Sequence, residues 1–286
     1  MVYAWMAYLS FAELVSNYKV IFFDAFGVLK NSSGLLDGTL DLLAWLNRTG
    51  KEVFILTNDS SRAPSELART YEHPEHGSLV PTSRTISSGL LAQDFLRSRI
   101  ERGTVAYLGK EQSAFYIEAA GLDAVPVSEC SLDTPPAALA LLDDEGFDWF
   151  SDINRALNLI RRSNIPVVVA NADRAYPVNN NDVAIAVGSL ATMMESILGK
   201  RFFHFGKPDT MMFSYAFATA HANLPKLSKK DVLMVGDTLH TDIHGATAFG
   251  LDTVLVLSGN TLPNHHKTLI EATGIIPTYI CESVFT

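Results

Sequence analysis

Val20-Ile21-Phe22-Phe23-Asp24-Ala25-Phe26-Gly27-Val28 is the stretch that decides the fold. The run from Lys19 to Phe23 is short, β-branched and aromatic, and polar residues bound it. That pattern marks a strand buried on both faces of a parallel sheet. Asp24 then stands at the strand's C-terminal end, where open α/β sheets bind their ligands. Gly27 lets the chain turn sharply and lets a ligand approach the backbone. Taken alone, the stretch reads equally well as a turn-forming Asp after a strand.

Residues 231–237, Asp-Val-Leu-Met-Val-Gly-Asp, show the same pattern of an apolar strand closed by a carboxylate. Thr238-Leu239-His240-Thr241-Asp242-Ile243 follows, then a helix expected to stop near Gly250, then a strand from Thr253 to Leu257. Asp237 and Asp242 therefore flank a helix start at a second strand end. Carboxylates converging on one sheet edge repel each other unless a cation sits among them. All-oxygen ligands select a hard cation, and Mg²⁺ is the common choice. A solvated acidic loop accounts for Asp242 but not for both acidic clusters ending apolar strands.

Two more strand ends carry polar clusters. Glu52 to Leu56 leads into Thr57-Asn58-Asp59-Ser60-Ser61-Arg62, with Pro64 placed to begin a helix. Hydroxyls, amides and free N–H groups at a helix N-terminus suit a phosphate. Phe202 to Phe205 leads into Gly206-Lys207-Pro208 and an apolar helix from Met211 to Ala222. Lys207 can neutralise a phosphate as a point charge. Each cluster alone is a capped turn or a solvated lysine; the four in sequence are not.

In that order, "FFDAFGVL", "ILTNDSSR", "FGKP" and "VGDTLHTDIHGA" resemble the four motifs of the haloacid dehalogenase-like hydrolases. The resemblance covers essentially the whole chain. It is closest to the branch with an α/β cap inserted between the second and third motifs, which holds sugar, 4-nitrophenyl and nucleotide phosphatases. It implies an α/β fold, a Rossmann-like parallel sheet core with helices on both faces plus the inserted cap. It also implies Mg²⁺ as cofactor and a small phosphorylated metabolite, sugar phosphate-like, as substrate. By the same resemblance Asp24 is the nucleophile that becomes an aspartyl-phosphate. Thr57 and Asn58 hold the transferring phosphoryl group beside Asp59, and Lys207 stabilises its charge. Asp24 and Asp237 bind the metal with the main-chain carbonyl of Phe26, and Asp242 supports the metal site through water.

One position departs from the family pattern. The second Asp of the first motif, which protonates the leaving oxygen and later activates water, is here Phe26. Phenylalanine can do neither. Two alternatives to a phosphatase therefore stay open: a phosphometabolite-binding regulatory module, and phosphoryl transfer through a long-lived aspartyl-phosphate. His240, where the family often has Asp, reads as a solvent-facing change.

The motifs place the core at residues 1–85 and 200–286, with the cap at 86–199. The middle block carries its own alternation. Strands are expected at Thr104 to Leu108, Ala138 to Leu142 and Ile165 to Ala170, and helices at Ser113 to Ala120 and Phe150 to Arg162. Such an insert can close over a site and exclude water. Asn171 to Pro177 resembles the family's cap loop and is also an ordinary turn; within it Asp173 is the candidate to supply the acid that Phe26 lacks. Asp143-Asp144-Glu145 reads as a solvated acidic turn.

The chain has 286 residues, 48% hydrophobic and 19% charged, enough for one large or two medium domains. A net charge of −9 argues against a nucleic-acid partner. Cys130 and Cys281 match no metal spacing and suggest a reducing compartment without disulfides. Met1 to Ser10 lacks the basic start and cleavage site of a signal peptide, and no stretch is long enough for a membrane span. The expectation is a cytoplasmic enzyme, with a homodimer through the cap implied by the resemblance.

Overall fold

A computed structural model describes residues 10–178 and 182–285. The N-terminal stretch read against a signal peptide lies outside them, apart from Ser10. Ser10 caps the short helix Phe11–Val15, its Oγ accepting from the Glu13 N–H at 3.3 Å.

The larger sheet has six parallel strands. Their spatial order is Tyr279–Cys281, Asp252–Val256, Val232–Gly236, Val20–Phe23, Glu52–Thr57 and Thr85–Ser87. Val20–Phe23 lies in the interior, with Phe23 beside Val235 on one side and Ile55 on the other. The chain leaves this strand toward one half of the sheet and returns later to build the other half. Asp24 therefore sits at the switch point where such sheets open a crevice.

Alternate residues of the interior strands feed two apolar layers. Val20, Phe22, Phe54, Met234 and Val232 face the helix Thr210–Asn223 through Met212, Phe213 and Ala216. Ile21, Phe23, Val53, Leu233 and Val254 face Leu43 and Leu46 of the helix Thr39–Arg48. This two-sided burial explains the unbroken apolar runs in the sequence.

The middle block does not extend that sheet. It forms a second, five-stranded sheet in the order Phe203–His204, Val167–Val169, Ala138–Leu141, Thr104–Leu108 and Asp123–Pro126. Phe203–His204 belongs to this sheet, so by sheet membership the chain returns to the core after His204 rather than at residue 200. One face of the second sheet packs on the helices Ser151–Ser163 and Val187–Leu198. Its other face joins the layer of Phe22, Phe54 and Met212 in one continuous apolar cluster.

Local differences from the sequence reading have local causes. The strand expected from Ile165 shortens to Val167–Val169 because Pro166 has no N–H for the ladder. The helix expected from Ser113 is a 3₁₀ turn, Glu111–Ala114, running into Phe115–Glu118. Both cysteines are buried. Among the described residues no helix is long and apolar enough to cross a membrane.

Candidate active site

The C-terminal ends of three core strands deliver Asp24, Thr57 and Asp237 to one edge, and Lys207 arrives from the loop after Phe203–His204. Lys207 is 2% exposed, and its ammonium lies 2.5 Å from Asp24 Oδ1 and 2.7 Å from Asp242 Oδ1. Burial acts to lower the Lys207 pKa, but the carboxylates of Asp24, Asp242 and Asp173 outweigh it and raise it. The lysine stays charged. One ammonium does not balance the carboxylates around it. Burial, together with repulsion from Asp242 and Asp237, pushes Asp24 well above the usual carboxylate range against the pull of Lys207. Burial and the Asp242 charge push Asp237 up to about 7.

The carboxylates of Asp24, Asp237 and Asp242 each present an oxygen within 4.8 Å of the others. This donor set, all oxygen and short of positive charge, fits a hard divalent cation. The backbone is built around it. A side chain at Gly27 would place its Cβ 2.0 Å from Asp237 Oδ2, and one at Gly259 would come within 1.9 Å. Asp237 Oδ2 accepts from the Asn260 N–H at 2.6 Å, and its Oδ1 accepts from Thr238 Oγ1 at 2.8 Å. Asp242 Oδ2 accepts from the Thr238 N–H at 3.0 Å.

The second motif divides its labour. Thr57 is buried and lines the cavity over Asp24. Asn58, expected to hold a phosphoryl group, spends its side chain inside the protein. Its Oδ1 accepts from the Lys207 N–H at 2.8 Å, while its amide donates to the Lys207 carbonyl and to Asp173 Oδ1, both at 2.9 Å. It splices the second and third motifs and holds the cap's Asp173 over them. Asp59 Oδ1 accepts from the N–H and the hydroxyl of Ser61, and its Oδ2 lies 3.9 Å from the Lys30 ammonium.

Phe26 stands half-buried on the cavity wall. The Lys30 ammonium sits 4.2 Å from its ring centroid, and the Tyr176 ring lies 6.1 Å away, centroid to centroid. The Asn171–Pro177 segment does face the site, since Asp173, Arg174 and Tyr176 line the cavity. Burial pushes the Asp173 carboxyl up to about 6, against the pull of Lys207 and Asn58. His240 is exposed, and it lies on the rim of the cavity rather than away from it.

Sequence reasoning missed three features. Gly259-Asn260 closes around Asp237 from a loop without any motif-like pattern. Lys30 is 8% exposed, and burial lowers its pKa while Asp59 and Asp24 oppose. The third is a correction: Asp143, read as part of a solvated turn, is 7% exposed and lines the cavity. The reason is tertiary, because the Ser60 hydroxyl of the second motif donates to the Leu142 carbonyl and draws the turn inward.

A carboxylate pinned by a buried lysine, beside two further carboxylates at a parallel-sheet switch point, gathers at one sheet edge the charges that suit a divalent cation and an anionic ligand. A family model described as haloacid dehalogenase-like hydrolase matches residues 21–123, and one described as HAD-hydrolase-like matches residues 204–285. Chronophin of Bos taurus is 30% identical over 281 residues, covering 95% of this chain and 93% of its own. Glycerol-3-phosphate phosphatase of Gallus gallus is 27% identical, covering 95% and 91%. A solved structure described as a possible sugar phosphatase from Cytophaga hutchinsonii is 47% identical with a TM-score of 0.91, covering 98% of this chain and 99% of its own. The chain belongs to the haloacid dehalogenase-like hydrolases.

Proposed function

We propose that the protein is a Mg²⁺-dependent phosphatase of a small phosphorylated metabolite, working through an aspartyl-phosphate on Asp24. The observation that carries this reading is the Asp24 carboxylate held by Lys207 at 2.5 Å on the floor of a cavity of about 1290 Å³. The naming of the relatives above as phosphatases supports it.

Asp24, Asp237, Asp242 and the main-chain carbonyl of Phe26 would hold the Mg²⁺. When bound, the ion neutralises charge on the carboxylates and the phosphoryl oxygens. Asp24 attacks phosphorus and the bond to the leaving oxygen breaks, with Lys207 and the Thr57 hydroxyl facing the phosphoryl oxygens. The departing alkoxide takes its proton from Asp173, which burial keeps partly protonated near neutrality. The Asp173 carboxylate so formed then accepts a proton from the water that cleaves the aspartyl-phosphate, and phosphate leaves. The second sheet and its helices act as the lid that excludes bulk water. Contacts across the closed cleft support that role: Ser60 to Leu142, Asn58 to Asp173, and the Tyr116 hydroxyl to the Arg62 carbonyl at 2.7 Å.

Phosphate release from a panel of alkyl, sugar and 4-nitrophenyl phosphates, with Mg²⁺ and with a chelator, tests the reading. Release from at least one alkyl ester that stops with the chelator supports it. No release from any ester sinks it. Phe26 favours one second reading, a long-lived aspartyl-phosphate that turns over slowly. Its signature is a burst of one leaving group per site followed by a slow steady state.

A further inference from the structure

We propose that Lys30 is a positioning residue for substrate binding: its ammonium, buried between the Phe26 ring and the Asp59 carboxylate, holds the aromatic wall of the cavity in place. The effect on substrate rests on the phosphatase reading; the placement of the ring does not.

Phe26 and Lys30 belong to one tight turn after Asp24. The Gly27 N–H donates to the Lys30 carbonyl at 2.8 Å, and the Lys30 N–H donates to the Ala25 carbonyl at 3.0 Å. Phe26 and Lys30 are also joined by a β-bridge. These backbone bonds fix where the two side chains start. Where the Phe26 ring ends up depends on what it packs against. The Lys30 side chain folds back across the turn and sets its ammonium 4.2 Å from the ring centroid. The same ammonium lies 3.9 Å from Asp59 Oδ2, so it ties the first motif to the second. The two side chains of that ion pair are only 10% and 13% exposed. At 3.9 Å the contact is too long for a hydrogen bond.

Phe26, Asp59 and Tyr176 all line the cavity, so Lys30 acts on the cavity through them. A cation over an aromatic face is attracted more strongly once it is desolvated. A buried ammonium is also costly unless partners stay beside it, which favours the arrangement that keeps both ring and carboxylate in reach. The other neighbour of the ring comes from the second sheet's side: Tyr176, 6.1 Å away and tilted by 55°, whose hydroxyl donates to Asp144 Oδ2 at 3.0 Å. Phe26 is thus held between a core lysine and a tyrosine facing it across the cleft. Without the lysine charge an apolar stem would still fill space, but nothing would draw the ring face or Asp59 toward residue 30. A ligand packing on this wall would then have to order the ring as it binds. The cost falls on binding rather than on the attack at phosphorus, because Asp24 is held by Lys207 and not by Lys30.

The test compares Lys30→Met, which keeps the stem and removes the charge, with Lys30→Arg, which keeps a cation for the ring. Crystal structures need no turnover: the Phe26 ring should leave its place in Lys30→Met and keep it in Lys30→Arg. Kinetics on 4-nitrophenyl phosphate with Mg²⁺ read the consequence. KM should rise about 5- to 20-fold in Lys30→Met while kcat stays within about 3-fold, and Lys30→Arg should bring KM back to within about 3-fold of wild type. In a Phe26→Leu background, Lys30→Met should move KM by less than about 2-fold, because the ring it acts through is gone. A ring that stays in place in Lys30→Met overturns the proposal. So does a KM shift of equal size with and without Phe26, or a loss confined to kcat. Lys30→Gln replaces Lys30→Met if that variant does not fold. Wild-type protein that releases no phosphate from any ester sinks the phosphatase reading instead, and the ring position then decides the placement by itself.

Discussion

The two ends of the cavity are built differently. At one end, Asp24, Lys207, Asp237, Asp242 and Thr238 form one polar network drawn from strand ends, a loop and a helical turn, with glycines cleared around Asp237. At the other end, Asp143, Asp173, Phe26 and Tyr176 come from turns and a hairpin that line the same cavity. The first end concentrates charge in a small buried space. The second brings Phe26 and two carboxylates, Asp143 and Asp173, to the wall of the same cavity.

Substitutions that separate the two ends break or sharpen this contrast. Asp24→Asn removes the nucleophile and should lower turnover of every ester at least about 10⁴-fold. An unequal loss between alkyl and aryl esters would count against a common covalent step. Lys207→Met should cost about 10²–10³-fold in kcat on all esters alike. It leaves buried carboxylates without their cation, so without Mg²⁺ the chain should also lose about 3–5 kcal/mol of stability, read from denaturant unfolding. Stability unchanged in the absence of metal would show that the carboxylates there are already neutral.

At the other end the effects should depend on the leaving group. Asp173→Asn should lower kcat on alkyl phosphates about 10²-fold and on 4-nitrophenyl phosphate much less, because the phenolate leaves without a proton. Asp173 has its pKa raised to about 6, so its protonated, donating form dominates below that pH and declines as pH rises through it. The alkyl-ester rate should therefore fall above about pH 6 in wild type, and that limb should vanish in Asp173→Asn. An identical pH profile in the variant would assign the acid to another group. Phe26→Asp should give the smallest change, a gain of up to about 10-fold in steady-state alkyl-ester turnover. It also removes the ring that Lys30 and Tyr176 rest on, so a gain would have to outweigh some loss of order there. A fall in turnover would show that the aromatic wall matters more than a second acid.

The sequence alone determined the scaffold and which carboxylates close its strands. Short β-branched runs buried on both faces can only be interior parallel strands, and a carboxylate closing such a run falls at the ligand edge. These are local patterns, legible at Val20–Asp24, Glu52–Thr57 and Val232–Asp237. Only the tertiary structure decided the rest, because the deciding contacts join residues far apart in the chain. Lys207 meets Asp24 across 183 positions, and Ser60 meets Leu142 across 82. An Asp-Asp-Glu turn carries the same signature in solvent or in a cavity; its burial follows from the Ser60 contact. Asn58 looks like a ligand-binding amide until the Lys207 backbone is placed beside it. Gly259 looks like any loop glycine until Asp237 is set within 1.9 Å of the Cβ it lacks. Periodicity is written in neighbouring residues, whereas desolvation and hydrogen-bond partnership depend on what the folded chain brings up against them.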